Sequence, residues 1–382
     1  MAGIYIHIPF CKQACHYCNF HFSTSLRFKN ELLTALLKET GLQKDYLAGE
    51  EIKTIYFGGG TPSLLEIADL RSVIEKIKEE FSVSDNAEIT LETNPDDIED
   101  EKLKSWKEIG INRLSIGIQS FFDEDLQWMN RAHNAQQAIG NLQLAIQQFN
   151  NITVDLIYGH PLLTNEKWKQ NVEKVIALNI PHISCYALTV EPKTPLDKLI
   201  REKKKENVQQ EKQAEQFLLL MQWLEDAGYE HYEISNFSKP GFRSKHNSSY
   251  WQGEKYLGLG PSAHSYDGIS RQWNISNNNI YIESLSKNEI PFEKETLTDT
   301  QKLNEYIMTS LRTIEGLDLN RVSLEFGVRN SEFIAKAQKF IQLSKLILKD
   351  DKLILTKEGK LFADGIAADL FVNEQATTNH KL

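Results

Sequence analysis

The sequence predicts an α/β protein built on a parallel sheet, and three observations predict it. Short apolar runs alternate with longer helix-period segments through the first half of the 382 residues. There are six such runs, and parallel neighbours need crossover helices of the kind found between them. The polar and glycine-rich motifs fall just after the runs, at strand C-terminal ends, where barrel enzymes place their sites. Strands are expected at 4–8, 54–57, 88–92, 113–117, 153–158 and 182–187, and helices at 28–44, 67–80, 101–109, 135–149 and 165–178. Helices on one side would curl the sheet into a barrel or part of one; the pattern alone also admits an open doubly wound sheet.

The first strand, Gly3-Ile-Tyr-Ile-His-Ile-Pro9, runs into Cys11-Lys-Gln-Ala-Cys15-His-Tyr-Cys18, which holds three of the four cysteines. A Cys-x3-Cys-x2-Cys loop can present one thiolate to each of three irons of a cubane cluster and leave the fourth iron open to a substrate or cofactor. Zinc is the competing ligand, with His16 or His21 completing a tetrahedron, but no second Cys-x2-Cys follows. Three clustered cysteines cannot all pair as disulfides, and Cys185 reads as a buried, inert thiol.

The second strand ends in Phe57-Gly58-Gly59-Gly60-Thr61-Pro62-Ser63, where glycines permit either a tight turn or close approach of backbone to a ligand. Polar residues recur at the later strand ends: Glu92, Gln119, then Arg131, and Asp155 within an otherwise apolar run. A carboxylate there is costly unless paired, which favours a ligand or a buried partner. Arg131 suits planar pairing with a carboxylate. Beyond the sixth strand come a charged helix at 208–227, a strand-like 229–235, and a Gly/Asn/Ser-rich stretch of 236–279, too long for an ordinary loop. Helical patterns from 297 with a strand signal at 352–356 suggest a small, α-rich, winged-helix-like domain. The expected division is 1–235, 236–296, 297–373 and a polar tail at 374–382.

The composition, 41% hydrophobic and 25% charged, fits a soluble intracellular protein, and no apolar run is long enough to span a membrane. No leader pattern precedes the first strand, so a cytoplasmic location is expected. The net charge of −10 argues against nucleic acid as a partner, and Arg201 with Lys203-Lys-Lys205 reads as a solvated face.

On Gly3–Pro9 and the cysteine loop, the chain resembles the radical S-adenosylmethionine (SAM) enzymes of the oxygen-independent coproporphyrinogen III oxidase-like family. That resemblance extends through Tyr232-Glu-Ile-Ser-Asn-Phe237 and Tyr256-Leu-Gly-Leu-Gly-Pro-Ser-Ala-His264. It implies a partial (β/α)6 radical-SAM barrel with an extended elaboration and a small C-terminal α-rich domain. It also implies a 4Fe-4S cluster on Cys11, Cys15 and Cys18, with SAM on the open iron and a 5′-deoxyadenosyl radical on reduction. By the same resemblance Tyr5, Tyr17, Gly59, Gly60, Thr61, Glu92, Gln119, Arg131 and Asp155 hold SAM.

Within that family, His246-Asn247-Ser-Ser-Tyr250-Trp251 matches the His-Asn-x-x-Tyr-Trp signature of a haem chaperone subgroup. The match implies haem as ligand, on His246, Asn247, Tyr250 and Trp251, with His264 the next candidate imidazole. Taken from the residues alone, His246 could equally be a hydrogen-bonded histidine among packing aromatics. The porphyrinogen oxidases continue Cys-x3-Cys-x2-Cys-x-Cys where this chain has Phe20, and they carry an extension ahead of a barrel that here starts at about Gly3. The expected function is therefore haem transfer to acceptor haemoproteins, respiratory-chain enzymes foremost, with membrane association only peripheral and through an acceptor. Oxidative decarboxylation of coproporphyrinogen III is the alternative, and RNA modification by a radical enzyme is disfavoured by charge.

Overall fold

The computed structural model describes residues 2–373. Its first half repeats strand and helix: β1 (Ala2–Ile8), α1 (Lys29–Leu42), β2 (Ile52–Gly59), α2 (Ile67–Glu80), β3 (Val83–Thr93), α3 (Asp100–Glu108) and β4 (Arg113–Gln119). Then come α4 (Asp123–Met129), α5 (Ala135–Gln148), β5 (Ile152–Tyr158), α6 (Asn165–Ala177) and β6 (His182–Ala187). Strands β1 to β6 pair in chain order and in parallel.

Along β2 to β6 the residues alternate. Ile55, Phe57, Leu91, Ile116, Val154 and Ile183 join the core beneath the helices. Thr54, Tyr56, Glu88, Glu92, Arg113, Asp155 and His182 occupy the intervening positions, which put them on the opposite face. A parallel strand covered on both faces by apolar layers would be continuously apolar; these are not, because the concave face is lined by polar groups.

After β6 follow α7 (Pro195–Arg201), α8 (Gln210–Asp226), β7 (Glu230–Glu233), β8 (Asn236–Ser238), α9 (Lys245–Trp251), β9 (Lys255–Leu259), β10 (His264–Tyr266), β11 (Ser270–Asn274), α10 (Asn278–Ser286) and β12 (Phe292–Thr296). The sheet order is β12-β11-β10-β9-β1-β2-β3-β4-β5-β6-β8-β7. No pairing joins β12 to β7 among the described residues, so the barrel is partial. The Gly/Asn/Ser-rich stretch is thus drawn into the main sheet: β8 runs antiparallel to β6, and β9 lies parallel to β1 on its other edge.

The remaining elements are α11 (Asp299–Leu311), β13 (Leu317–Asp318), α12 (Leu319–Phe326), α13 (Asn330–Gln342), β14 (Leu346–Lys349), β15 (Lys352–Leu355) and α14 (Ala363–Leu370). They carry their own core, with Leu303, Ile307, Val322, Phe333, Leu353 and Leu370, around a sheet ordered β13-β15-β14. This unit meets the barrel at β7, where Ile314 N donates to Tyr232 O (3.0 Å) and Lys360 Nζ lies 2.8 Å from His231 Nδ1. No described helix is long and apolar enough to cross a membrane. The expected polar tail at 374–382 lies outside the described residues.

Candidate cofactor site

At the C-terminal ends of the strands the cysteine loop is stitched to its surroundings by backbone. Cys11 N donates to Ser23 O (3.0 Å), His16 N to Met129 O (3.1 Å), and Leu196 N to His16 O (2.8 Å). The glycine turn grips the start of the loop: Gly60 N donates to Ile8 O (2.8 Å) and Thr61 N to Phe10 O (2.6 Å). A Cβ on Gly60 would fall 2.6 Å from Phe10 O, and Gly59 has φ +101 with His7 just as close, so both positions require glycine. All three cysteines are partly exposed, and Cys185 is buried.

Helix α4, absent from the sequence-based expectation, delivers Arg131 to this loop. It ends at Asn130 in the left-handed region (φ 59), and Asn130 ties back to the loop through Nδ2 to Ala14 O (2.7 Å). Arg131 then reaches Cys15 Sγ (3.4 Å), Tyr17 Oη (3.4 Å), Asn94 Oδ1 (2.6 Å) and Gly117 O (2.9 Å). Its Nε is buried without a partner. Gln119 sits at the end of β4 with φ 66, a strained backbone for a residue with a side chain.

Deeper on the concave face, Glu92 accepts from Tyr56 Oη (2.8 Å) and Gly59 N (3.2 Å), and Asp155 accepts from Ser115 Oγ (3.4 Å). Burial lifts Glu92 to about 7, with the charge of Asp155 adding to the shift. Burial likewise raises Asp155 to about 6, against hydrogen bonding from Ser184 and the charge of Arg113. Cys11 is pushed up to about 11 by burial, against a hydrogen bond with Thr61. Carboxylates and thiols held this way are uncomfortable without a ligand.

The chemistry of these donors fits an iron–sulfur cluster with a polar, cationic ligand beside it. Among the described residues no three His, Cys, Asp or Glu side chains close around a single ion. One tetrahedral zinc would need that, whereas thiolates on three separate irons would not.

The concave face has a second polar layer at the other end of the strands, and His246 lies in it. Thr54 Oγ1 lies 2.7 Å from His246 Nδ1, and His246 N donates to Glu88 Oε1 (3.1 Å). Glu88 Oε2 is 3.9 Å from Arg113 Nε; Arg113 donates to Thr153 Oγ1, which lies 3.1 Å from His182 Nδ1. His182 Nε2 completes the row, 2.8 Å from Tyr232 Oη. One buried side chain from each of β2 to β7, with His246 of α9 inserted among them, forms a continuous floor.

His246 is 1% exposed, and its Nε2 lies 2.9 Å from Tyr250 Oη, so both ring nitrogens are engaged. Burial, with Arg113 nearby, depresses it to about 3 and keeps the ring neutral. Thr54 and Tyr250 thus bracket the His246 ring within the floor. Tyr250 is committed to the same bond, Asn247 N is bonded to Ser244 Oγ (3.3 Å), and Trp251 lies beneath the Arg312 guanidinium (5.4 Å).

The radical SAM superfamily description matches residues 5–175, and the HemN C-terminal domain matches 297–362. The solved structure of coproporphyrinogen III oxidase (HemN) from Escherichia coli superposes with a TM-score of 0.84 at 22% identity, covering 97% of this chain and 90% of its own; it shows the fold. The heme chaperone HemW of Bacillus subtilis is 33% identical over 371 residues, 96% of this chain and 98% of the relative. The heme chaperone HemW of Haemophilus influenzae is 32% identical, covering 98% of each chain. The chain belongs to the HemW family.

For this HemW-family chain, the structure gathers Cys11, Cys15, Cys18, Tyr17, Gly59, Gly60, Thr61, Glu92 and Arg131 at one mouth, with Asp155 below and Gln119 at its edge. Tyr5 lies deeper, its hydroxyl 3.2 Å from His7 Nδ1. The sequence reading missed Lys205, which it placed on a solvated face. Lys205 instead donates to the Trp128 carbonyl, stands 2.9 Å from His16 Nδ1 and covers the Trp128 ring at 4.4 Å, bracing the cysteine loop from below. It also missed Tyr56 and Asn94. Both stand beside residues that were singled out, and their polar atoms in apolar or strand-end settings were the available signal.

Proposed function

We propose that this protein is a haem chaperone that binds haem and passes it to acceptor haemoproteins, respiratory enzymes foremost, and that its mouth carries a 4Fe-4S cluster with exchangeable SAM. The observation that carries this reading is end-to-end likeness to relatives named heme chaperone HemW, at 33% and 32% identity. Phe20 supports it: where the porphyrinogen oxidases continue with a cysteine, this side chain is 67% exposed.

Cys11, Cys15 and Cys18 would hold three irons, and when bound the cluster supplies an electron to the sulfonium of SAM. Arg131 offsets thiolate charge at Cys15. Lys12, paired with Asp96 (2.9 Å) and with Asp97, pins the loop to the turn after β3. Glu92 and Asp155 face the cationic part of the ligand, and Gly59, Gly60, Thr61, Gln119, Tyr5 and Tyr17 complete its seat. For haem, His246, Asn247, Tyr250 and Trp251 on α9 are the first candidates, and His264, exposed on β10 and stacked at 6.2 Å on Trp273, is the next.

The test is parallel anaerobic incubation of the cluster-loaded protein with haem and with coproporphyrinogen III. Stable haem absorption without protoporphyrinogen is the expected result. Multiple turnovers to protoporphyrinogen would replace the chaperone by the oxidase. Haem absorption weakened or altered in His246→Ala is expected for the ligand assignment, and an unchanged spectrum moves the ligand to His264.

A further inference from the structure

We propose that a cavity beneath α9, at the N-terminal ends of the barrel strands, takes the carboxylate edge of haem, with Lys53 of β2 and Lys245 of α9 as the two cations that receive its two propionates. This rests on the reading of α9 as a haem-binding helix and adds to it a second wall, supplied by the barrel.

The cavity has a volume of about 460 Å³, within the range of pockets that take cofactor-sized ligands. It lies at the opposite end of the strands from the cysteine loop, lined on the barrel side by Lys53 and Thr54 at the start of β2. On the other side α9 lines it with Lys245, Ser248 and Ser249, and the two serines fill the positions that the His-Asn-x-x-Tyr-Trp signature leaves open. Thr54 belongs to the cavity and to the floor at once, since its Oγ1 lies 2.7 Å from His246 Nδ1. A ligand here therefore leans on the residue that holds the signature imidazole.

The charges decide the class of ligand. Lys53, Arg243 and Lys245 line the cavity against one carboxylate, that of Glu254, in a chain whose net charge is −10. Arg243 is already spent on Glu230 and Glu315, each at 2.7 Å. The other two cations are available. Lys245 is exposed, and its backbone N–H rather than its ammonium holds it to Glu88 (3.2 Å). Lys53 pairs with Glu51, whose side chain is 49% exposed, a contact weakened by water that a ligand can replace. Ser248 Oγ is buried without a partner, an orphan that a carboxylate oxygen would satisfy. Haem carries both carboxylates on one edge of an otherwise apolar ring. Two ammonium groups from two walls, with apolar stems between them, match that edge better than they match a ligand with its charge at a single point.

The experiment titrates the cluster-loaded full chain with haem by absorption, and repeats the titration with haem dimethyl ester, in which both carboxylates are capped. Lys53→Met and Lys245→Met should each weaken haem binding about fivefold, and the double variant about twenty-five-fold. Lys53→Arg and Lys245→Arg should retain most of the affinity. The ester should bind the unaltered protein about as weakly as haem binds the double variant, and the lysine substitutions should not change its affinity. Asn86→Trp, at an exposed lining position, should block haem by filling the cavity without altering a charge, with the melting temperature unchanged. Equal haem affinity in the unaltered protein and the double variant overturns the proposal, as does ester binding as tight as haem or undiminished binding in Asn86→Trp. If His246→Ala alters the haem spectrum while the lysine variants leave affinity untouched, haem stays on α9 and the cavity is removed from its site. If the unaltered protein does not bind haem, the reading of α9 and the proposal fall together.

Discussion

The concave face of this barrel carries two polar layers built from the same strands, and they are opposites. The floor, running from Thr54 through His246, Glu88, Arg113, Thr153 and His182 to Tyr232, is closed: its imidazoles are neutral and its carboxylate faces a guanidinium. The mouth is open in the chemical sense: Glu92 and Asp155 are held above the usual carboxylate range by burial. A guanidinium Nε without a partner occurs in both layers, on Arg113 and on Arg131, so the difference lies in the carboxylates: Glu88 already faces a cation, whereas Glu92 and Asp155 are raised by burial and mark where a cationic group is to bind. Polar residues at corresponding places on one strand, Glu88 and Glu92 for example, therefore serve stability at one end and binding at the other.

The sharpest way to break this division is at the cysteines. Cys11→Ser, Cys15→Ser or Cys18→Ser should each lose the native cluster, since a hydroxyl is a far poorer ligand than thiolate, while the melting temperature of cluster-free protein stays nearly unchanged. Cys185→Ser, on the helix side of β6, should keep its iron and sulfide content; loss there would move a ligand out of the mouth. Next in size is Arg113→Met, which strands the Glu88 charge in the floor and should cost about 3–5 kcal/mol in denaturant unfolding. Glu92→Gln should cost far less than that, and equal losses would erase the distinction between the layers.

A third prediction concerns pH. Because the folded protein holds Glu92 at about 7 against an ordinary 4.5, ligand-free protein should lose stability as pH rises from 4.5 through about 7. Glu92→Gln should flatten that part of the profile relative to the unaltered protein. SAM, being cationic, should bind more tightly as pH rises through the same window, and a flat affinity would remove Glu92 from its seat. The smallest effect is expected for Lys205→Met, about 1 kcal/mol or less from the lost cation–π contact. Cluster content should be retained, and faster iron release to a chelator would show the brace under the loop.

Much of this was readable beforehand, and the reason is periodicity. The six strands and their crossover helices leave local apolar patterns, and β6 matches the expected 182–187 span. Asp155 announced itself as a charge inside an apolar run. The fuller signal, polar residues at every second position such as Thr54 and Tyr56 or Glu88, Thr90 and Glu92, was present but is weak strand by strand. What could not be read was long-range. Nothing local in 255–259 says that it pairs with β1, nothing in His246 says that it enters a floor beside Thr54, and Lys205 looks solvated until Trp128 is placed beneath it. Helix α4 spans only seven residues, too short for periodicity to declare it.

The parallel pairing of β1 with β9 has a consequence for synthesis. The strand that leads into the cysteine loop leaves the ribosome well before its second neighbour, which begins only at Lys255. At about 5–20 residues per second, on the order of 10–50 s separate the appearance of the thiols from that of the strand and helix that complete the barrel around them. Throughout that interval β1 presents a bare edge beside three reduced cysteines, so the nascent chain is at its most vulnerable to oxidation and mispairing before the last third of the polypeptide exists.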